Sequence, residues 1–194
     1  LENPTSLYTS FYDLDHPLPF AYIRQPYQSY GGRTRFSISP EMATLPTKIT
    51  LGSEFQNGQT SVQRFVNNGG KIGNQILNQE LNNTQLSVFI QSETSLSENT
   101  HLTAGLSYNR ITYKVNNLRN PGVSGTKKFD GELMPRIALV HVFNDQIALR
   151  GGISFGFSPP TTSEITAADG TIRDDIQAER GVNYEVGARG TLWD

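Results

Sequence analysis

The chain has 194 residues, with 18 Asp+Glu against 16 Lys+Arg and a net charge of -2. That balance leaves no basic footprint for nucleic acid. The absence of Cys removes disulfides, thiolate metal sites and Cys nucleophiles together. Mean hydropathy is -0.43, and no run approaches the ~18 apolar residues of a spanning helix. A barrel whose alternate residues face lipid has the same low hydropathy, so a membrane location stays open.

In chain order, 7–12 predicts a short strand, followed by a loop at 13–20 that contains Pro17 and Pro19. The chain returns through Tyr22 to Ile38. There Tyr30, Gly32, Thr34, Phe36 and Ile38 share one face, and Arg33, Arg35 and Ser37 the other. Pro40 and Pro46 break 39–47 into a turn region. The segment 48–66 sets Ile49, Leu51, Ser53 and Phe55 against Thr50, Gly52, Glu54 and Gln56, and 67–80, with Asn-Asn-Gly-Gly, reads as a loop. In 81–94, Leu86, Val88 and Ile90 oppose Ser87, Phe89, Gln91 and Glu93, an alternation that Phe89 interrupts. A turn at 95–100 leads to 101–115, where Leu102, Ala104, Leu106 and Tyr108 oppose Thr103, Gly105, Ser107 and Asn109.

After a loop at 116–128, the strand 129–143 is apolar on both faces: Ile137, Leu139 and Phe143 alternate with Arg136, Ala138, Val140 and Val142. Asn144 and Asp145 turn the chain into 146–158, with Ile147, Leu149, Ile153 and Phe155 opposite Ala148, Arg150 and Ser154. A long polar loop at 158–180 precedes the last strand, in which Val182, Tyr184, Val186, Ala188 and Leu192 oppose Asn183, Glu185, Arg189 and Thr191. Period-two alternation marks these segments, apart from 129–143, as strands with one apolar and one polar face. About eight strands result, with short turns on one rim and longer loops on the other. The fold class is therefore all-β, an antiparallel up-and-down transmembrane β-barrel. Two other readings fit the strand count. A complete small eight-stranded outer-membrane barrel with an adhesive or structural role would pair its first and last strands. A soluble β-sandwich binding module would bury the apolar face of 182–192 against a second sheet.

Five segments carry a family likeness: ITLGSEF at 49–55, LSVFIQSE at 86–93, LTAGLSY at 102–108, PRIALV at 135–140, and GFSPP at 156–160 followed by 179–187. In this order and spacing they resemble consecutive strands of the C-terminal β-barrel of a TonB-dependent outer-membrane receptor. YGGR at 30–33 is compatible with it. The resemblance implies a barrel of 22 strands in the outer membrane of a Gram-negative cell, plugged by an N-terminal domain. It implies no enzyme and no cofactor. It implies instead the import of a scarce solute such as a ferric siderophore, with energy from a TonB complex that pulls on the plug. The chain is then expected to be a partial barrel, residues 1–194, without plug, TonB box or the usual aromatic last residue.

Charges on the polar strand faces, Arg33, Arg35, Glu54, Glu93, Arg136, Arg150, Glu185 and Arg189, are candidates to face the lumen and its plug. The plain alternative is that any wet lumen is lined with solvated charge. Thr161, Thr162, Glu164, Asp169, Arg173, Asp174 and Asp175, in the longest loop, are candidates for ligand contact. Tyr8, Tyr12, Tyr22, Tyr108, Tyr113 and Trp193 are candidates for interfacial aromatic girdles. His16, His101 and His141 have no metal spacing. Glu93 and Glu185 supply the residue types of a glycosidase pair with nothing to bring them together. Gly31-Gly32-Arg33 and Gly69-Gly70-Lys71 lack the context of a phosphate loop.

Overall fold

The computed structural model describes residues 2–40, 44–167 and 169–191. They form one sheet of eight strands: β1 (Thr5–Leu18), β2 (Ala21–Ile38), β3 (Thr47–Asn68), β4 (Lys71–Ser97), β5 (Thr100–Asn117), β6 (Gly125–Asn144), β7 (Ile147–Ser158) and β8 (Glu179–Gly190). Each strand pairs antiparallel with its sequence neighbour, and a single 3-10 turn, Pro121–Val123, interrupts the β5–β6 connection. Among the described residues β1 pairs only with β2, and β8 only with β7. The sheet is therefore an open wall, and the small closed barrel is excluded by its unpaired first and last strands.

Cross-strand partners share a face, so the register carries the alternation from strand to strand. Leu51, Ile90, Leu106, Ile137, Ile153 and Tyr184 all project outward and are exposed. At the edge strands Leu7 is 86% and Val186 90% exposed. No second sheet covers this face among the described residues, which overturns the sandwich reading; Leu192 and Trp193 lie outside the described residues. A contiguous exposed apolar face of this kind belongs against lipid. On β2 it runs over 30–38, about 21 Å of membrane normal for a strand tilted by about 40°. Its upper edge is marked by Tyr30, Phe55, Leu86, Tyr108, Leu133 and Phe155. Followed along the register, that edge steps down from β2 to β7, as a tilted sheet requires.

Above this band the strands continue further than the alternation suggests. The stretches 13–20 and 67–80, read as loops from their Pro, Asn and Gly content, are mostly strand. β1 runs to Leu18, its Pro17 accommodated because β1 is an edge strand. β3 and β4 meet at Gly69-Gly70, whose φ values of +64° and +90° suit a two-residue hairpin turn. Likewise β5 reaches Asn117 and β6 begins at Gly125, shrinking the expected 116–128 loop. Beyond the bilayer both strand faces meet water, so the period-two apolar signal disappears while the backbone ladder persists. The span 57–68 alone reaches about 40 Å along the strand. The contrast between rims is therefore one of strand height, and among the described residues 118–124 and 159–178 are the upper connections longer than two residues.

Ile90 and Gln91 are consecutive residues on opposite faces. Ile90→Arg should cost about 2–4 kcal/mol in a bilayer and Gln91→Arg within about 0.5 kcal/mol, read from urea unfolding in lipid vesicles. Equal costs would contradict the assignment of faces.

Candidate functional site

The inner face is defined by the same register. Arg33 lies directly opposite Glu54, and Arg35 opposite Gly52. One row crosses the sheet through Glu93, Thr103, Ala138, Gly152 and Glu185. Arg136, Arg150 and Arg189 have the same parity, so every charge expected in the lumen sits on one surface. Glu93 and Glu185 are four strands apart, about 19 Å, which leaves no paired-carboxylate site. Arg150 bonds Glu185 at 2.8 Å across Gly187, both side chains more than half exposed, so the pair contributes little stability. Gln91 donates to Glu93 at 2.7 Å, and Tyr8 donates to Glu54 at 2.9 Å. Among the described residues Arg35, Arg136 and Arg189 have no carboxylate within ion-pair distance. Phe89, which broke the alternation, lies flat over its cross-strand partner Gly52, and Tyr8 over Gly31. Each ring covers the backbone that a glycine leaves bare.

The tyrosine assignments need correction. Tyr8, Tyr12 and Tyr113 have inward parity, and Tyr22 lies near the tip of β2. Only Tyr108 marks the outer edge, joined there by Tyr30, which stacks obliquely on Phe55 with centroids 6.3 Å apart. Trp193 lies outside the described residues.

The long 159–178 connection is a folded lobe seated on the inner face. Ile165, with no exposed surface, packs against Ile111, Tyr113 and Phe129. Burying a side chain of that size contributes about 1.5–3 kcal/mol. The Tyr113 ring stands edge-on to Phe129, and its hydroxyl donates to the Pro160 carbonyl at 2.7 Å. Burial, with the nearby Glu164 charge, pushes this phenol up to about 12. A second anchor is Gly170, whose carbonyl accepts from Gln79 Nε2 at 2.9 Å. Its φ of +88° favours glycine, and a Cβ there would meet Gln79 and Asn117. Lys127 Nζ donates to the Asp174 carbonyl at 2.6 Å.

The polar residues of the lobe mostly hold its own shape. Glu164 accepts from the Thr161 amide at 2.7 Å and hydroxyl at 2.8 Å, and Asp169 from the Thr171 amide and hydroxyl at 3.0 and 2.7 Å. Arg173 binds Asp175 at 3.2 Å. Thr161 and Thr162 differ in that they line a hollow of about 330 Å³ with Tyr12, Gln25, Tyr27 and Asn83. Tyr12 and Tyr27 stack there with centroids 4.9 Å apart. A neighbouring hollow of about 440 Å³ is walled by Glu54, Gln56, Ser107, Asn109 and Phe157, and shares Gln85 and Pro159 with the first. Together they make one trough of aromatic faces, amides and hydroxyls. Tyr12 was assigned to an interfacial girdle and Tyr27 to no site; the parity of Tyr27 with Arg33 along β2 was the available signal.

Hydrogen bonds from the Thr161 and Thr171 backbone amides and hydroxyls hold Glu164 and Asp169 below the ordinary carboxylate values of 4.5 and 3.8, and the Arg173 hydrogen bond does so for Asp175. Carboxylates with depressed folded pKa stabilise the lobe fully above pH ~4.5, and that support is lost as pH falls through their lower folded values. Hydrogen exchange at the Ile165 and Arg173 amides, corrected for intrinsic rates, should therefore show weaker protection at pH 3 than at pH 6. Glu164→Gln should weaken it at pH 6 and narrow the difference between the two. Protection independent of pH would contradict this.

With this geometry in place, comparison with known proteins is informative. Residues 3–194 match the family of TonB dependent receptor-like β-barrels. No curated protein sequence matches significantly. Among solved structures, the ferric citrate transporter FecA in its unliganded form superposes with a TM-score of 0.76 at 13% identity, over 97% of this chain and 29% of that one. The alcaligin outer-membrane receptor FauA from Bordetella pertussis gives 0.68 at 16%, over 98% and 34%. The ferric yersiniabactin uptake receptor FyuA from Yersinia pestis gives 0.67 at 14%, over 99% and 31%. At such identities the likeness shows the fold, and the chain spans about a third of the length of these receptors. The chain belongs to the TonB-dependent receptor β-barrel family, as part of a barrel wall in the Gram-negative outer membrane and not an enzyme.

Proposed function

We propose that this chain forms part of a receptor that captures a scarce solute, a ferric siderophore, outside the cell and imports it with energy supplied by TonB. The observation that carries the reading is the ordered lobe seated over a trough on the inner, upper face, lined by Tyr12, Tyr27, Tyr113, Thr161 and Thr162. Stacked phenols and amides suit an organic chelator, which presents flat rings and carbonyls and carries its own metal. FecA, FauA and FyuA, named for ferric citrate, alcaligin and ferric yersiniabactin, support the solute class.

In this reading Thr161 and Thr162 touch the solute, while Glu164, Asp169, Arg173, Asp174 and Asp175 keep the lobe in shape beside it. Lower in the lumen, Arg33, Arg35, Glu54, Glu93, Arg136, Arg150, Glu185 and Arg189 meet a plug domain on which TonB pulls. Exposed charges are suited to that contact because each pair is weak enough to break during transport.

The test is uptake of radioactive iron, delivered as a panel of ferric siderophores to iron-starved cells with and without the intact gene. Loss of uptake for one chelate on deletion is expected, with binding but no import in cells lacking TonB. Tyr27→Ala should weaken binding of that chelate by about tenfold. Unchanged uptake of every chelate on deletion would overturn the proposal.

A further inference from the structure

Asn-Gly occurs twice in the chain, at Asn57-Gly58 and Asn68-Gly69, and both copies lie along β3 in opposite surroundings. The dipeptide is chemically labile, because glycine has no side chain to shield the backbone nitrogen that follows the asparagine amide. Asn57 and Gly58 are buried within the ladder that β3 makes with β2 and β4. The Asn57 amide is held at both ends. Its Nδ2 donates to Asn82 at 3.2 Å and to Thr84 at 2.9 Å, and its Oδ1 accepts from Asn82 at 3.1 Å.

Asn68 stands at the tip of β3 and β4, the two longest strands. It is exposed, and among the described residues its side chain makes no hydrogen bond. The side-chain bonds at the tip belong to Asn67, which donates to the Leu18 carbonyl at 2.6 Å and accepts from the Gly70 amide at 2.6 Å. The Gly69 amide between them has no acceptor among the described residues. Nothing lies within 4 Å of the position of a Cβ on Gly69 or Gly70, so the turn is open to solvent. The ladder also shifts register on both sides of Phe65, which leaves two rungs above the irregularity, Asn67–Ile72 and Asn68–Lys71. A cap of two rungs opens at low cost.

We propose that Asn68 is a site of self-modification, at which the Gly69 backbone nitrogen converts the side-chain amide into a carboxylate. When the tip opens, that nitrogen attacks Asn68 Cγ and closes a five-membered succinimide. The Cγ–Nδ2 bond breaks, and Nδ2 leaves as ammonia with the proton that Gly69 gives up. Water then opens the ring. Attack at Cγ yields an aspartate, and attack at the main-chain carbonyl yields an isoaspartate whose backbone carries one extra carbon. The nucleophile is tethered beside its target, so solvent water is the one further reactant. The isoaspartate does not fit a turn whose register is set by two residues, so the Asn68–Lys71 rung is lost. Asn67 then loses its grip on Leu18, and the β1–β2 turn loosens with it. The inner trough takes no part in this chemistry.

The test follows the intact protein, purified from outer membranes in mild detergent, through prolonged incubation at physiological temperature in water enriched in heavy oxygen. Peptide mass spectrometry reads both Asn-Gly sites, with heavy oxygen marking each carboxylate formed during incubation, and enzymatic methylation counts isoaspartate. In the folded protein Asn68 should convert at least about 100-fold faster than Asn57, and in protein unfolded in urea the two should convert at similar rates. Hydrogen exchange at the Lys71 amide should quicken as isoaspartate accumulates. In Asn68→Gln protein of the same age that exchange should stay constant, with unheated gel migration reporting that the variant is folded. The proposal is overturned by an Asn68 as unreactive as Asn57, by an Asn57 that converts first, or by a contrast between the sites that persists in urea.

Discussion

A backbone N–H or C=O inside hydrocarbon has no water to turn to, so it must be bonded to another strand or carry a cost of several kcal/mol. That requirement organises this wall. Within the band every strand from β2 to β7 has ladder partners on both sides, and the antiparallel neighbours need only short turns at the lower rim. Once the ladder is fixed, the pleat decides the rest, because consecutive side chains must point to opposite solvents. Ile90 to lipid and Gln91 to water are both consequences of one backbone. The outer edges of β1 and β8 carry the same requirement.

Above the bilayer the constraint changes sign. Both faces of the tall hairpins meet water, so the strands there are built from Asn, Gln, Ser and Thr, and their side chains bond across the ladder, as Asn57, Asn82 and Thr84 do. Three apolar side chains in this region turn inward. Ile111, Tyr113 and Phe129 form a small cluster that Ile165 closes. A lobe held by one such cluster and by carboxylates bonded within the lobe itself is stable locally and can open without disturbing the wall. The binding role proposed for the lobe requires such local opening.

Much of this was legible in the sequence where a lipid-facing side exists. The faces of β2, β5, β7 and β8 follow from alternate residues, and the charges on the polar strand faces share one surface in the register. Legibility failed where the membrane ends. The polar halves of β1, β3 and β4 have no apolar face to reveal a period of two, so 13–18 and 71–80 were read as loop. The trough suffered most, because the meeting of Tyr12 with Tyr27 depends on a cross-strand register that alternation within one strand does not reveal. Folding of the lobe on Ile165 is a long-range contact, and nothing local to 159–178 marks that one isoleucine as its anchor.

The most direct test is the solvent that each side chain meets in a bilayer. Nitroxide labels placed singly at Leu51, Ile90, Leu106 and Ile137, and at Gly52, Gln91, Thr103 and Ala138, can be probed by collision with oxygen and with a water-soluble nickel chelate. The account expects the first set to collide with oxygen and the second with nickel, alternating residue by residue. Equal access of both reagents at neighbouring positions would contradict it.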